Sequence, residues 1–207
     1  MGRLVAILQR GLFAGWRLAL VVVLLAAASF AATTRPERAR PLPRLGRVAD
    51  FSLTDQSGTP VSRRSLAGKP WVASFFFTRC PTVCPLITSR MQRLNRLASA
   101  SDTPLPLVSI TVDPGHDGSA VLEAYAKEHH VGWSMLTGSE GTVQALARSF
   151  AVAMEGRADP DALNYGILHS GHLILIDGDG TIRGYYRSAE PDAEQRILDD
   201  ARRLGAG

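Results

Sequence analysis

The chain combines short, continuously apolar runs with longer segments that carry apolar residues at helical spacing. Residues 71–77 are almost entirely apolar and aromatic, and residues 105–112 form a second apolar run. Such runs are typical of strands that are buried on both faces of a sheet. Helical periodicity follows each of them, at residues 85–100 and 119–130, and returns at residues 141–150. This order of strand, helix, strand and helix predicts parallel crossover units.

Shorter strand patterns flank this central region. Residues 50–55 alternate between apolar and polar, and residues 60–62 return after a turn, which predicts an N-terminal hairpin. The sequence Asp177-Gly178-Asp179-Gly180 predicts a tight turn between strands at 173–176 and 181–185. Three further elements are expected: strands at 133–136 and 151–154, and a terminal helix at 190–204. We therefore predict an α/β protein with a thioredoxin-like fold, in which a central mixed sheet is flanked by helices and extended by the N-terminal β-hairpin.

The first 32 residues have the pattern of an export signal. They carry three arginines and no acidic residue, and residues 18–32 form an uncharged stretch of 15 residues. A spanning helix needs about 20 apolar residues, and counting back to Leu12 reaches that length only by including Arg17, which can snorkel. Residues 29–31 also resemble a signal-peptide cleavage site. Residues 1–32 are thus a signal anchor or a cleaved signal peptide, and either one predicts a globular domain in the periplasm or another extracytoplasmic space.

Residues 33–47 are rich in proline and arginine and have little to bury, so they are predicted to be an extended tether ahead of a domain at 48–207. The apolar content of 45% is enough for a substantial core. Removing the three leader arginines from the 23 basic residues leaves 20, against 19 acidic ones. The remainder is nearly neutral, which argues against a nucleic-acid partner.

The strongest chemical signal is a pair of cysteines at the end of the first apolar run. Cys80 and Cys84 are the only cysteines in the chain, and each is followed by a proline. A spacing of four places both on one face if the segment is helical, and a helix N-terminus stabilises a thiolate. Two thiols can form a disulfide or bind a soft ion such as Cu(I) or Zn(II). They are too few for the usual four-thiolate iron–sulfur cluster.

A histidine near the C-terminal hairpin is the best candidate for a third ligand. His169 lies just before the strand predicted at 173–176, where thioredoxins have a cis-proline that faces the cysteines. The nearest upstream proline is Pro160, so an imidazole takes that place. A hydrogen-bonded core histidine is the alternative interpretation. The other histidines are weaker candidates: His116 in a loop at a strand end, His129 and His130 at a helix end, and His172 at the strand start.

Several motifs, taken in order, resemble the Sco/SenC family. They are Phe-Phe-Phe-Thr-Arg-Cys-Pro-Thr-Val-Cys-Pro at 75–85, Ser-Ile-Thr-Val-Asp-Pro at 109–114, Leu-Thr-Gly at 136–138, His-Ser at 169–170 and Leu-Ile-Asp-Gly-Asp-Gly at 175–180. The resemblance runs from about Val48 to Tyr186. It implies a membrane-tethered periplasmic copper chaperone that helps assemble the dinuclear CuA centre of cytochrome c oxidase.

The resemblance also implies the site and its partners. Cys80, Cys84 and His169 would bind copper as Cu(I) or Cu(II), and Asp113 is a candidate to support these ligands from outside the coordination sphere. A copper donor protein and the oxidase subunit that carries CuA would be the partners, and the N-terminal helix would hold the chain at the membrane. Two thiolates and an imidazole are ligands that suit copper.

The chain departs from the family pattern at three places. Thr82 stands where the family often has an acidic residue, and Leu168 stands where it often has Asp before the histidine. Residues 115–118, Gly-His-Asp-Gly, replace an Arg-Asp-Thr-like stretch. These departures keep the three ligands but change their electrostatic surroundings, and therefore bear on Cu(II) affinity and redox potential.

Other functions remain open on the residues alone. A thiol-disulfide oxidoreductase that reduces cysteines of an oxidase subunit would use Cys80 as the attacking thiol and Cys84 as the resolving one; it would not need His169, whereas a copper chaperone would. A peroxiredoxin-like peroxidase is disfavoured because Phe77, not a threonine, lies three residues before Cys80. A catalytic zinc site with two cysteines and a histidine is chemically feasible.

Overall fold

The computed structural model describes residues 41–150, apart from 102 and 104, and residues 171–205. The predicted leader at 1–32, residues 33–40 of the predicted tether, the strand predicted at 151–154 and His169 lie outside the described residues. Among the residues that are described, no helix is long and apolar enough to cross a membrane.

The described elements follow the predicted order closely. The strands are β1 (Gly46–Arg47), β2 (Ser52–Asp55), β3 (Pro60–Ser62), β4 (Trp71–Phe76), β5 (Leu107–Thr111), β6 (Ser134–Thr137), β7 (His172–Ile176) and β8 (Thr181–Arg187). The α-helices are α1 (Val83–Ser99), α2 (Ser119–Glu128), α3 (Glu140–Ser149) and α4 (Ala193–Gly205), and a short 3-10 turn covers Arg64–Leu66. The Ser139 side chain caps α3, since it accepts a hydrogen bond from the Thr142 N–H.

The strands form one mixed sheet in the order β1-β8-β7-β4-β5-β6-β2-β3. The strands β4, β5 and β6 are parallel, and β7, β8 and the β2–β3 hairpin join antiparallel. All six residues of β4 and all five of β5 are buried, which explains their unbroken apolar pattern. The predicted central mixed sheet with flanking helices and an N-terminal hairpin is confirmed.

Alternate residues of β4 face two different helix layers. Trp71, Ala73 and Phe75 belong to the core that includes Leu122 of α2 and Val143, Leu146 and Phe150 of the α3 region. Val72 belongs to the opposite core, in which Ile87, Met91 and Leu94 of α1 lie with Ile197 and Leu198 of α4. Both cores contribute strongly to stability, because each buried aliphatic side chain contributes about 1.5–3 kcal/mol. The centre of the sheet, where the cysteine segment begins, is therefore rigidly held.

The folded domain begins earlier than Val48, which corrects the predicted boundary with the tether. Gly46 and Arg47 form β1 on the edge of β8, and the Leu45 N–H donates to the Ile182 carbonyl at 2.9 Å. The Arg183 guanidinium donates to the carbonyl oxygens of Leu42 and Pro43. The composition of residues 42–47 predicted an extended tether. The segment instead joins the sheet, because it pairs with the exposed edge of β8 and its carbonyls accept hydrogen bonds from Arg183.

Candidate metal centre

The two cysteines lie at the carboxyl end of β4, where the strand passes into α1. The Cys80 N–H donates to the Phe77 carbonyl at 3.3 Å and closes a turn. The helix begins only at Val83, so Cys84 lies in its first turn and Cys80 precedes it. The spacing of four had predicted a shared helical face, and this is wrong because Cys80 is held in the turn. The two thiols nevertheless come together.

The two cysteines are thiols and are not joined in a disulfide, and both are buried, with Cys80 7% exposed and Cys84 1% exposed. The hydrogen bond with Cys80 and burial both raise the pKa of Cys84, and the charges of Cys80 and Asp117 raise it further. A hydrogen bond with the Phe77 backbone opposes them but does not reverse the direction. The expected stabilisation of a thiolate by the helix N-terminus is thus outweighed at Cys84. A metal that binds this thiol must displace its proton.

A buried carboxylate, that of Asp117, fixes the turn that leads to Cys80. Its Oδ1 accepts from the Thr78 hydroxyl at 2.5 Å, and its Oδ2 accepts from the Thr78 N–H at 3.0 Å and from the Thr111 hydroxyl at 2.6 Å. Asp117 is fully buried. One side chain therefore ties the cysteine turn to the end of β5.

Asp113, the predicted supporting residue, lies in the same loop and is also buried. Its Oδ2 accepts from Arg79 at 2.8 Å, and its N–H donates to the Thr111 hydroxyl at 3.0 Å. Arg79 is the residue immediately before Cys80. Asp113 thus anchors the cysteine turn through an ion pair rather than by a contact with the sulfurs.

An aromatic hydroxyl closes the inner side of the site. The hydroxyls of Tyr125 and Thr88 are 3.1 Å apart, and Thr88 is one helical turn after Cys84. Burial raises the pKa of Tyr125 most, the hydrogen bond with Thr88 lowers it, and the charges of Cys84, Cys80 and Asp117 raise it further. The phenol is thus neutral and lies within electrostatic reach of the cysteines.

The structure separates the remaining histidines. His116 is exposed, although it follows the buried Asp113. His129 stacks on Tyr125 with ring centroids 4.2 Å apart, and His172 packs edge-on against Tyr185. Burial and then the charge of Arg187 lower the pKa of His172, and Glu190 opposes this. Within the described residues no group of three or more His, Cys, Asp or Glu side chains could hold a metal ion. His169, the predicted third ligand, lies outside that part of the chain.

The sequence analysis missed three residues around the cysteines: Thr78, Asp117 and Tyr125. Residues 115–118 were considered only for His116 and as a departure from the family pattern, yet this segment contains the buried Asp117. One signal was available, because Asp117 closely follows a buried strand, and loops at the carboxyl edge of a parallel sheet gather site residues. Tyr125 carried no such signal, since it matches the inward positions of an amphipathic helix.

The model of the SCO1/SenC family matches residues 42–204. The chain belongs to the SCO1/SenC family. The start of the family match coincides with the residues that Arg183 binds at the sheet edge. The predicted resemblance and thioredoxin-like fold are confirmed.

Individual members of the SCO1/SenC family show what the fold is associated with elsewhere. A putative copper-binding protein of Stutzerimonas stutzeri is 33% identical over 159 residues, which cover 76% of this chain and 78% of that protein. BsSco, described as a member of the Sco family of cytochrome c oxidase assembly proteins with a disulfide switch, superposes with a TM-score of 0.69 at 27% identity, covering 80% of this chain and 97% of that one. The copper-bound structure of Bradyrhizobium japonicum ScoI has a TM-score of 0.62 at 25% identity, covering 76% of this chain and 99% of that one.

Proposed function

We propose that this chain is a copper-binding chaperone that contributes to assembly of the CuA centre of cytochrome c oxidase. The observation that carries the proposal is the placement of two buried thiols side by side at the carboxyl end of β4. Copper would be cargo, held by Cys80, Cys84 and His169. Copper-bound and oxidase-assembly relatives within the same family support this function.

The donor set fits copper better than it fits a hard cation. Thiolate sulfurs are soft ligands that favour Cu(I), and an imidazole extends the set towards Cu(II). Cys84 belongs to a cluster of buried apolar side chains, and Asp113 and Asp117 already accept hydrogen bonds from other protein groups. Neither carboxylate lies free to attract Ca²⁺ or Mg²⁺, which need several oxygen ligands.

Chain geometry supports His169 as the third ligand. The Ser188 N–H donates to the Gly171 carbonyl at 2.8 Å and fixes that residue at the start of β7. A Cβ built on Gly171 would lie 3.5 Å from Cγ2 of Val83, the residue before Cys84. Two residues span at most about 7 Å. This short connection is compatible with His169 as a ligand of the same copper and supports that part of the proposal.

The export signal predicted at residues 1–32 would place the copper-binding domain outside the cytoplasm. A membrane-anchored chain with its domain on the periplasmic side would meet the oxidase subunit where its copper centre is exposed. Fractionation of cells that express the full chain tests this: the protein should stay with membranes after a high-salt wash. Recovery of a form that starts near Ala32 in the soluble periplasmic fraction would contradict the anchor.

The experiment for copper binding is an anaerobic titration of the reduced full chain in mild detergent. One copper per chain is expected, and Cys80→Ser should abolish tight binding. His169→Ala should weaken Cu(II) binding sharply, whereas His116→Ala, a substitution of an exposed histidine, serves as the matched control. Unchanged stoichiometry and affinity in His169→Ala would remove that residue from the ligand set.

A second function, thiol-disulfide exchange with an oxidase subunit, is favoured by the pairing of the thiols. Cys80 is the more exposed of the two, and Cys84 lies beneath it with a raised pKa, which matches an attacking and a resolving thiol. A Cys84→Ser variant should then accumulate a mixed disulfide through Cys80 with the target subunit. If the variant traps none while the native chain binds copper, chaperoning without exchange remains the function.

A further inference from the structure

Among the described residues Asp117 has no cation beside it, unlike Asp113, the other acidic residue of the same loop. Its side chain is fully buried, and among the described residues no Lys, Arg or His lies within ion-pair distance of it. Its three contacts are all donors, two from Thr78 and one from Thr111. An oxygen pair that only accepts is the ionised form of a carboxyl group. A fixed negative charge is therefore enclosed next to the thiols.

Asp113 provides the contrast. It lies four residues earlier in the same loop and is also buried, but Arg79 donates to it at 2.8 Å and offsets its charge. The loop thus contains two carboxylates: Asp113, whose charge is offset by Arg79, and Asp117, whose contacts among the described residues are hydrogen bonds from uncharged donors. The charge of Asp117 reaches the site, since it acts on both Cys84 and Tyr125.

From this geometry we infer that Asp117 is a positioning residue whose charge favours Cu(II) over Cu(I) at the cysteine site. The inference rests on the proposed function. Two thiolates and a neutral imidazole give a net charge of zero with Cu(II) and minus one with Cu(I). A nearby enclosed negative charge disfavours the second state, because Coulomb interactions are poorly screened away from water. The hydrogen bonds to Thr78 hold the Cys80 turn at the distance where this charge acts.

The same charge leaves the disulfide equilibrium almost unaffected. A disulfide is neutral, and the dithiol that forms from it by uptake of two electrons and two protons is also neutral. The charge of Asp117 therefore interacts equally with both forms. If Asp117 acts through its charge, its removal should change only the copper affinities. If it acts by holding the Cys80 turn in place, its removal should change the disulfide equilibrium as well.

The test uses Asp117→Asn in the reduced full chain in mild detergent. Cu(I) and Cu(II) affinities are measured by competition with chelators under anaerobic conditions, and the disulfide midpoint is measured in a dithiothreitol redox buffer without copper. Asn is isosteric and can still accept from the Thr78 N–H. The ratio of Cu(II) to Cu(I) affinity should fall at least about tenfold. That fold-change corresponds to a rise of about 59 mV in the one-electron copper potential. The disulfide midpoint should not move.

Two comparison variants keep the test decisive. Thr111→Val removes one hydrogen-bond donor to Asp117 but keeps its negative charge, so the ratio of Cu(II) to Cu(I) affinity should rise about two- to threefold. This variant also tests the effect of the charge if Asp117→Asn does not fold. Asp177→Asn makes the same chemical change at another buried carboxylate, whose strand β7 ends beside the start of β4 rather than at the cysteine end. It should leave the ratio unchanged.

Each outcome bears on the inference in a defined way. A lowered ratio with an unchanged disulfide midpoint supports it. An unchanged ratio in Asp117→Asn, in a chain that binds one copper, overturns it and leaves the proposed function standing. Equal movement of the copper ratio and the disulfide midpoint overturns the charge role in favour of a purely structural one. A native chain that binds no copper overturns the proposed function and this inference together.

Discussion

Replacement of Arg183 by methionine should destabilise the domain and release its first strand. The Arg183 side chain is 12% exposed and donates to Asp177 Oδ2 at 2.8 Å, to the Pro43 carbonyl at 2.8 Å and to the Leu42 carbonyl at 2.6 Å. Methionine keeps an unbranched apolar stem but removes all donors. It leaves Asp177, which is 11% exposed, without its cation.

The magnitude follows from this burial. Removing one partner of a buried ion pair costs about 3–5 kcal/mol. Both groups keep a small exposed fraction, so we expect a loss near the lower end, about 3 kcal/mol. For a domain of this size, that corresponds to a fall in Tm of roughly 6–12 °C. The amides of Leu45 and Val48, on either side of β1, donate to Ile182 and Gly180, and they should also exchange faster with deuterium.

The cost should depend on pH with a defined sign. Burial raises the pKa of Asp177, but the hydrogen bond and charge of Arg183, with backbone donors from Thr181 and Asp179, lower it below its ordinary value of 3.8. A lowered carboxyl pKa contributes stability above the ordinary value, and that contribution is lost as the pH falls through the folded-state value. The difference between native and Arg183→Met should therefore be full at pH 7 and shrink below about pH 4.

Urea unfolding followed by circular dichroism at several pH values provides the measurement. The double variant Arg183→Met with Asp177→Asn should be less destabilised than the sum of the single variants, because the unpaired charge is then absent. A loss of unfolding free energy below about 1 kcal/mol at pH 7, or additive effects of the two single variants, would refute the Arg183 contacts as the reason that β1 joins the sheet.

Two further predictions concern the core and the edge of the site. Phe150→Ala should cost about 3–5 kcal/mol in urea unfolding, because Phe150 is fully buried and meets the rings of Trp71 and Phe75 edge-on; a cost under about 1 kcal/mol would contradict this packing. The pKa of His172 is lowered, chiefly by burial and the charge of Arg187, so its contribution to stability is present above its ordinary value of 6.5 and is lost as the pH falls through the folded-state value. His172→Gln should therefore flatten the fall in stability between pH 7 and pH 5, and identical pH profiles would argue against the shift.

Periodicity predicted most of the fold because the sheet centre is buried on both faces. The runs that form β4 and β5 have no polar face to present to water. The helices that follow them bury their regularly spaced apolar residues against the two faces of the sheet. The Asp-Gly-Asp-Gly turn was predictable for a local reason, since Gly180 has a positive φ of 84°, a conformation that glycine adopts at little cost.

Contacts between distant residues explain what the sequence could not predict. The start of the domain depends on Arg183 reaching carbonyls about 140 positions away, and no local pattern at 42–47 encodes it. The protonation of Cys84 depends on a neighbouring thiol and on burial that only the folded chain provides. Asp117 was hidden in a segment whose motif differs from the family pattern, although its carboxylate organises the cysteine turn.

X-ray absorption spectroscopy of the copper-loaded full chain tests the central claim most directly, because it identifies the ligands of the metal. The account predicts two sulfur ligands and one imidazole nitrogen on the copper, with loss of the imidazole signal in His169→Ala and of sulfur scattering in Cys80→Ser. A copper shell of only nitrogen and oxygen, or a spectrum that neither substitution changes, would contradict it.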